Sequence, residues 1–299
     1  MATFKNYLSL IKFSHTIFAL PFALIGFFLG LTKQNIESQL LNQEQVSFFS
    51  ARNIWLFLFV LGCMVTARSA AMAFNRYLDR QIDALNPRTA IREIPKGIIK
   101  PNQALFFTII SSILFVVFAA LINKICFYLS PIALLVVLGY SYTKRFTPFC
   151  HLILGIGLSL APIGAFLAVT GVFNLLPLLF SFTVIFWVSG FDIIYALQDE
   201  AFDQSNKLYS IPAWLGKAKA LRVSELLHLI AGIFVLMAGI FGNFSFIYWI
   251  GASIFSGMLI YQHSIVKPND LSKVNIAFMT ANGIASIVFA FFVILDIFI

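Results

Sequence analysis

Long apolar stretches alternate with short polar ones along this chain. A run of ~20 mostly apolar residues suffices to cross the hydrocarbon core of a bilayer. Nine such runs can be drawn, at 12–31, 54–75, 104–123, 125–142, 151–169, 173–196, 221–241, 244–263 and 276–298. The pattern predicts an all-α membrane protein with about nine transmembrane helices. The third and fourth spans meet at Asn123-Lys124-Ile125, so the connection there must be very tight. Three polar stretches stand out, near residues 32–53, 76–103 and 197–220. None is large enough to fold by itself, so a single integral-membrane domain over 1–299 is expected. Lys5 and Lys12 precede the first apolar run, as in a signal peptide. The run continues through Phe27-Phe28-Leu29-Gly30-Leu31 without a small-residue cleavage site, which reads as a retained first helix.

Composition fixes the solvent. Sixty per cent of residues are hydrophobic, 11% are charged and the mean hydropathy is +0.93, values of a membrane protein rather than a soluble one. The cations then set the orientation. Sixteen lie at the N-terminus or in the loops after the second, fourth, sixth and eighth spans, against Lys33, Arg52 and Lys124 on the other side. The positive-inside rule puts the first group in the cytoplasm, with the N-terminus, and the C-terminus outside. A bacterial inner membrane is the expected location. The net charge of +8 needs no nucleic acid, since the inside bias and anionic lipid explain it. Some of the loop cations could instead meet a substrate's phosphates. Cys63, Cys126 and Cys150 lie in or beside apolar spans without paired spacing, which argues against a disulfide framework or a zinc site.

The chain has only twelve acids, and six fall in two short runs at helix ends, Asn75–Asp83 and Asp192–Asp203. A carboxylate at the edge of hydrocarbon is costly unless a cation or partner neutralises it, so such clusters mark function. Asn75, Asp79 and Asp83 are spaced i, i+4, i+8 and share one helical stripe if the helix continues to 83, with Arg68 two turns back. Asp192, Tyr195, Asp199 and Asp203 form a second stripe, whereas Glu200 points off it and reads as solvated. Two such stripes, one from each half of the chain, would enclose a central polar cavity opening to the cytoplasm. Facing acids suit divalent metals holding a phosphate-bearing substrate. Taken singly, Asp83, Glu200 and Asp203 could merely pair with loop cations. A secondary transporter is the rival of another class, but its ion sites tend to lie near the midplane at broken helices. A lipid-binding scaffold would not need this ligand set.

These residues carry a resemblance. The first run matches the Asn-x-x-x-Asp-x-x-x-Asp motif of the UbiA superfamily of intramembrane aromatic prenyltransferases. The second matches its Asp-x-x-Tyr-Ala-x-x-Asp-x-x-x-Asp, here Asp192, Tyr195, Ala196, Asp199 and Asp203. Tyr140-Ser141-Tyr142-Thr143-Lys144-Arg145 is similar to the family's Tyr-x-x-x-Lys-Arg segment, and Pro87–Arg92 to the loop after its first motif. Two departures are visible: Arg92-Glu93 stands where ubiquinone-pathway members have Arg-Pro, and Arg76 follows Asn75 in place of Asp.

The resemblance implies transfer of a polyprenyl chain from its diphosphate to an aromatic acid, usually 4-hydroxybenzoate, in ubiquinone synthesis. The departure at Glu93 keeps open a naphthoate-type acceptor in menaquinone synthesis. Asn75, Asp79, Asp83, Asp199 and Asp203 would hold Mg²⁺. Arg68, Lys144 and Arg145 would contact the diphosphate or the acceptor carboxylate, although Arg68 could instead pair with a motif Asp. Asp192 would orient or deprotonate the phenol, with Tyr195 beside it. Thirty-five Phe residues are mostly lipid-facing or packing positions, and a few would line a prenyl tunnel. His15 could reach the cavity or simply cap a helix.

Overall fold

The computed structural model describes residues 3–11, 18–41, 47–48 and 50–299. Lys12 and His15 lie outside these. The chain is a bundle of helices: α1 (Phe4–Leu10), α2 (Leu20–Leu40), α3 (Ala51–Leu78), α4 (Arg80–Leu85), α5 (Pro101–Ile122), α6 (Lys124–Thr143), α7 (Cys150–Thr170), α8 (Leu175–Ala196), α9 (Glu200–Ser205), α10 (Ile211–Leu215), α11 (Lys217–Phe241), α12 (Phe246–Ile265) and α13 (Asn282–Phe298). No strand occurs among the described residues, only one isolated bridge between Lys267 and Asp270.

Among the described residues, seven helical segments are long and apolar enough to cross a membrane: α3, α5, α6, α7, Leu175–Ser205, α11 and Ile276–Phe298. They coincide with seven of the nine expected spans. The first and eighth expected spans fall on α2 and α12, which carry polar ends (Thr32-Lys33-Gln34-Asn35 and Gln262-His263-Ser264) and stand outside that set.

Side chains are arranged for lipid. Helix α5 turns Ala104, Thr108, Ser111 and Ala119 inward and exposes Phe106, Ile109, Ile113, Val117 and Leu121. Small residues inside let helices approach closely, which is where packing energy comes from when the surroundings are as apolar as leucine. The closest approaches use glycine. A Cβ on Gly26 of α2 would collide with the carbonyl oxygen of Pro162 in α7, and one on Gly155 of α7 with that of Ile185 in α8. An aromatic core of Phe22, Trp187, Phe255 and Phe289 ties α2, α8, α12 and α13 together, with ring centroids 5.1–5.7 Å apart along the chain of contacts.

Helix ends follow local chemistry. Asn123 alone separates α5 from α6, as the tight junction required. Its Oδ1 accepts from Cys126 N at 2.8 Å, capping α6, and its Nδ2 donates to the Leu167 and Ala168 carbonyls of α7. Gly171 ends α7 in the left-handed region (φ 68°), where glycine carries no Cβ penalty. Before α13, Ile276–Ala281 forms a π-helical turn. Asn282 stabilises it, donating Nδ2 to the carbonyls of Ala277 and Phe278. Its Oδ1 accepts from Trp187 Nε1 and Gln262 Nε2, both at 2.8 Å, so this fully buried amide uses all its hydrogen-bonding capacity.

Candidate functional site

Neither acidic run is one continuous helix. The first breaks at Asp79, between α3 and α4, where the backbone takes φ −88°, ψ 4°. The second breaks after α8 with a 3₁₀ turn, Leu197–Asp199, before α9. The condition for the first stripe, a helix continuing to residue 83, is thus met only with a break at Asp79. Spacing along the first run is nevertheless kept near helical, because Asp79 N still bonds Asn75 O and Asp83 N bonds Asp79 O.

Each acid meets a cation or a neutral donor. Asp79 is buried and takes Lys144 Nζ on Oδ2 and Arg145 NH2 on Oδ1, both at 2.8 Å, while Asn75 Nδ2 reaches Oδ2 at 3.2 Å. Arg145 also donates to the carbonyls of Ser141 and Leu78, which orients its planar fork. Asp83, also buried, takes Arg92 NH1 on Oδ1 at 2.6 Å. Arg76 lies 3.9 Å from its Oδ2, and that oxygen has no hydrogen-bond partner.

The loop after the first run reaches across to the second. Asn86 Nδ2 and Arg88 Nε donate to Asp199 Oδ1 at 3.0 and 2.9 Å, and Arg88 NH2 pairs with Oδ2. Arg88 NH1 donates to the Tyr195 hydroxyl at 2.8 Å, and its guanidinium lies 5.0 Å from that ring's centroid. Burial works against the charge on Arg88, but the hydrogen bond to Asp199 and the neighbourhood of Tyr195 outweigh it and hold its pKa above the usual value. Phe278, presented by the π turn, packs 4.3 Å from the Tyr195 ring. Asp203 accepts from Ser210 Oγ at 2.9 Å.

Asp192 takes a partner that no spacing pointed to, His151 at 2.7 Å. Arg88 and Arg92 lie in the Pro87–Arg92 segment similar to the family's loop, but neither they nor Asn86 could be assigned partners from the sequence. Asn282 did carry a signal, being an amide in the middle of an apolar run. Glu200, read as solvated, is instead half-buried and pairs with Lys217 at 3.5 Å, because the break before α9 turns it toward α11. Arg68 faces a largely apolar cavity of about 380 Å³ between α3, α5, α6 and α7, whose other polar lining includes Tyr140. Tyr140 lies one helical turn before Lys144, which pairs with Asp79, so this cavity borders the acidic site.

Among the described residues, no three His, Cys, Asp or Glu side chains converge as metal ligands. The acids are instead matched to cations of the chain. The donor set is all oxygen, the type that hard cations such as Mg²⁺ prefer. Mg²⁺ needs only one or two carboxylates when substrate phosphates and water complete its shell, and the partnerless, buried Oδ2 of Asp83 is a ready acceptor.

Comparison with known proteins adds identity to this geometry. A 4-hydroxybenzoate octaprenyltransferase of Nitrosospira multiformis is 28% identical over 235 residues, covering 79% of this chain and 80% of that protein. One from Vesicomyosocius okutanii is 30% identical over 238 residues, covering 78% and 85%. Among solved structures, an apo UbiA homolog from Aeropyrum pernix K1 superposes with a TM-score of 0.77 at 28% identity, covering 95% of this chain and 97% of that one. A UbiA homolog from Archaeoglobus fulgidus bound to DMAPP and Mg²⁺ shares the fold, with a TM-score of 0.70, 19% identity and coverage of 98% and 99%. The UbiA prenyltransferase family matches residues 19–284. That match takes in both acidic runs and the helices that carry them, and the chain belongs to the UbiA prenyltransferase family.

Proposed function

We propose that this protein transfers a polyprenyl chain from polyprenyl diphosphate to the ring of 4-hydroxybenzoate, in ubiquinone synthesis. The observation that carries the reading is the pair of Asp-x-x-x-Asp runs, each broken at its first Asp and each matched to arginine or lysine from another segment. The curated relatives' 4-hydroxybenzoate activity supports the acceptor, and the Mg²⁺- and DMAPP-bound homolog supports the donor and the metal.

Asn75, Asp79 and Asp83 on one side, and Asp199 and Asp203 on the other, would hold Mg²⁺. When bound, the metal neutralises charge on the leaving diphosphate. Lys144, Arg145, Arg88 and Arg92, which hold the acids here, carry donors that suit phosphate oxygens, and a guanidinium can bind them bidentately. Asp192 accepts the phenol proton or orients the phenol. Tyr195, packed on Phe278 and donated to by Arg88, forms one wall of the site. Arg68 and Tyr140, at the polar part of the large apolar cavity, suit the carboxylate and ring of the acceptor.

The cation distribution supports both acidic runs at the cytoplasmic side, with the N-terminus inside and the C-terminus outside. The apolar runs, with no polar stretch long enough to fold alone, support a single domain, 1–299, of about nine spans, in a bacterial inner membrane. Two helical halves would each give one acidic run to the cavity.

Glu93 favours a second reading. It takes the proline position of the ubiquinone-pathway pattern and accepts from Ser9 Oγ at 2.5 Å, a bond that a proline side chain could not make. A naphthoate-type acceptor in menaquinone synthesis would keep the same mechanism. The test offers a polyprenyl diphosphate and Mg²⁺ with 4-hydroxybenzoate and naphthoate acids in parallel, using purified protein and chelator controls. Chelator-sensitive product from 4-hydroxybenzoate is expected. Product only from a naphthoate acid would move the enzyme to menaquinone synthesis, and none from any acceptor would favour a transporter.

A further inference from the structure

His151, the second residue of α7, is almost wholly buried, and its Nδ1 lies 2.7 Å from Asp192 Oδ2 on α8. The Asp192 side chain is 24% exposed against 3% for His151, so the imidazole sits behind the carboxylate. The tautomer can be read from the other nitrogen. Ile211 N–H donates to His151 Nε2 at 3.4 Å, so Nε2 carries the lone pair. An ionised carboxylate only accepts, so the proton between them sits on Nδ1, and His151 donates it to Asp192.

The ring is held from a second direction. Ser189 Oγ, one turn before Asp192, donates to the His151 carbonyl at 3.2 Å and fixes the backbone beneath it. Ile211 also belongs to a segment with an unusual set of partners. Tyr209 N donates to the Lys144 carbonyl at 2.7 Å, Ser210 Oγ donates to Asp203 Oδ2 at 2.9 Å, and Ile211 N reaches His151. Three consecutive residues thus hold the backbone of the lysine that pairs with Asp79, a carboxylate of the second acidic run, and the histidine behind Asp192. A packing histidine needs none of this. A histidine whose task is to aim a carboxylate needs a fixed tautomer and a fixed ring plane, and both are present.

The geometry points to His151 as a positioning residue for Asp192. It ties up one carboxylate oxygen through Nδ1–H and leaves the other to face the acceptor's phenol. This assignment rests on the aromatic prenyl transfer proposed above. It also explains how the segment Tyr209–Ile211 sets the phenol-facing and diphosphate-facing acids in one register.

Two substitutions separate aim from packing. Asn places its amide nitrogen near the position of Nδ1 and can still donate to Asp192, whereas Leu fills the space without a donor. His151→Leu should lower kcat by about 10²-fold, the scale of a misplaced catalytic group. The KM for polyprenyl diphosphate should stay as in the wild type, because the four metal-run acids are untouched. His151→Asn should recover the greater part of the lost kcat. Equal losses in Leu and Asn, or wild-type kcat in Leu, would overturn the assignment. ¹⁵N-histidine NMR of the full chain in detergent gives a readout independent of turnover. The expected result is an Nδ1–H tautomer for His151 whose shifts move in Asp192→Asn. An Nε2–H tautomer, or no response, would also overturn it. The expected tautomer in a protein that prenylates no aromatic acid would leave the His151–Asp192 bond standing and remove the acceptor reading instead.

Discussion

Asp79 and Asp199 occupy matching places: each sits at φ/ψ near −90°/0° (−88°/4° and −104°/2°), where a long helical segment stops and a six-residue helix begins. Four residues later, on those short helices, come Asp83 and Asp203. The bridge-region backbone, common at functional residues, marks the junction of each long segment with its short helix. Both carboxylates are then met by cations from elsewhere in the chain, Lys144 and Arg145 in one case and Arg88 in the other.

The first prediction concerns these two acids. Asp79→Asn and Asp199→Asn keep side-chain shape and remove charge. Each should lower Mg²⁺-dependent transfer by about 10²-fold or more, the scale of losing one transition-state electrostatic contact. Steady-state assays on purified variants check this, and near-normal turnover in both would dismiss the two-run metal site.

Arg145→Ala asks where the acceptor or donor is held. The variant should raise the KM of one substrate selectively, and titrating each at saturating concentrations of the other identifies which. Equal kinetics for both substrates would leave Arg145 as a partner of Asp79 alone.

Arg88→Lys tests the link between the first run's loop and the second run. Lysine cannot reproduce the fork that spans Asp199 and Tyr195. Breaking a fully buried ion pair costs about 3–5 kcal/mol, and the 30% exposure of Arg88 reduces this to about 1–2 kcal/mol. A lowered midpoint in detergent thermal unfolding should accompany reduced activity.

Chelation should separate activity from stability. The acids already pair with the chain's own cations, so EDTA should abolish transfer while leaving the unfolding midpoint unchanged. A large fall in midpoint would show that the metal holds the fold together.

Gly26→Val probes packing. The added atoms meet the backbone of Pro162, which cannot yield as a flexible side chain would, at a cost of about 1–3 kcal/mol. Gly164 faces open space, so Gly164→Ala is the matched control and should be close to neutral. Midpoints of both variants, measured side by side, decide the point.

The spans were legible because ~20-residue apolar runs have few other uses. So was a very tight junction within Asn123-Lys124-Ile125, which the structure places at Asn123 alone. The breaks at Asp79 and Asp199 were not legible, since neither Gly nor Pro marks them and helical spacing continues through both. The partners of the acids were hidden for another reason. Arg88 meets Asp199 across 111 residues and His151 meets Asp192 across 41, and periodicity carries no information over such distances. Asn282 was the readable exception, because an amide within a membrane-length apolar run must find partners. Its partners, Trp187 and Gln262, could be known only from the fold.

The junction at Asn123 has a consequence for how the chain is made. With a single residue between α5 and α6, and its side chain spent on capping α6 and bonding α7, there is no loop to be threaded across the bilayer by itself. The two helices therefore form an antiparallel hairpin with no polar loop of its own, and Lys124 is the sole charge between residues 101 and 143.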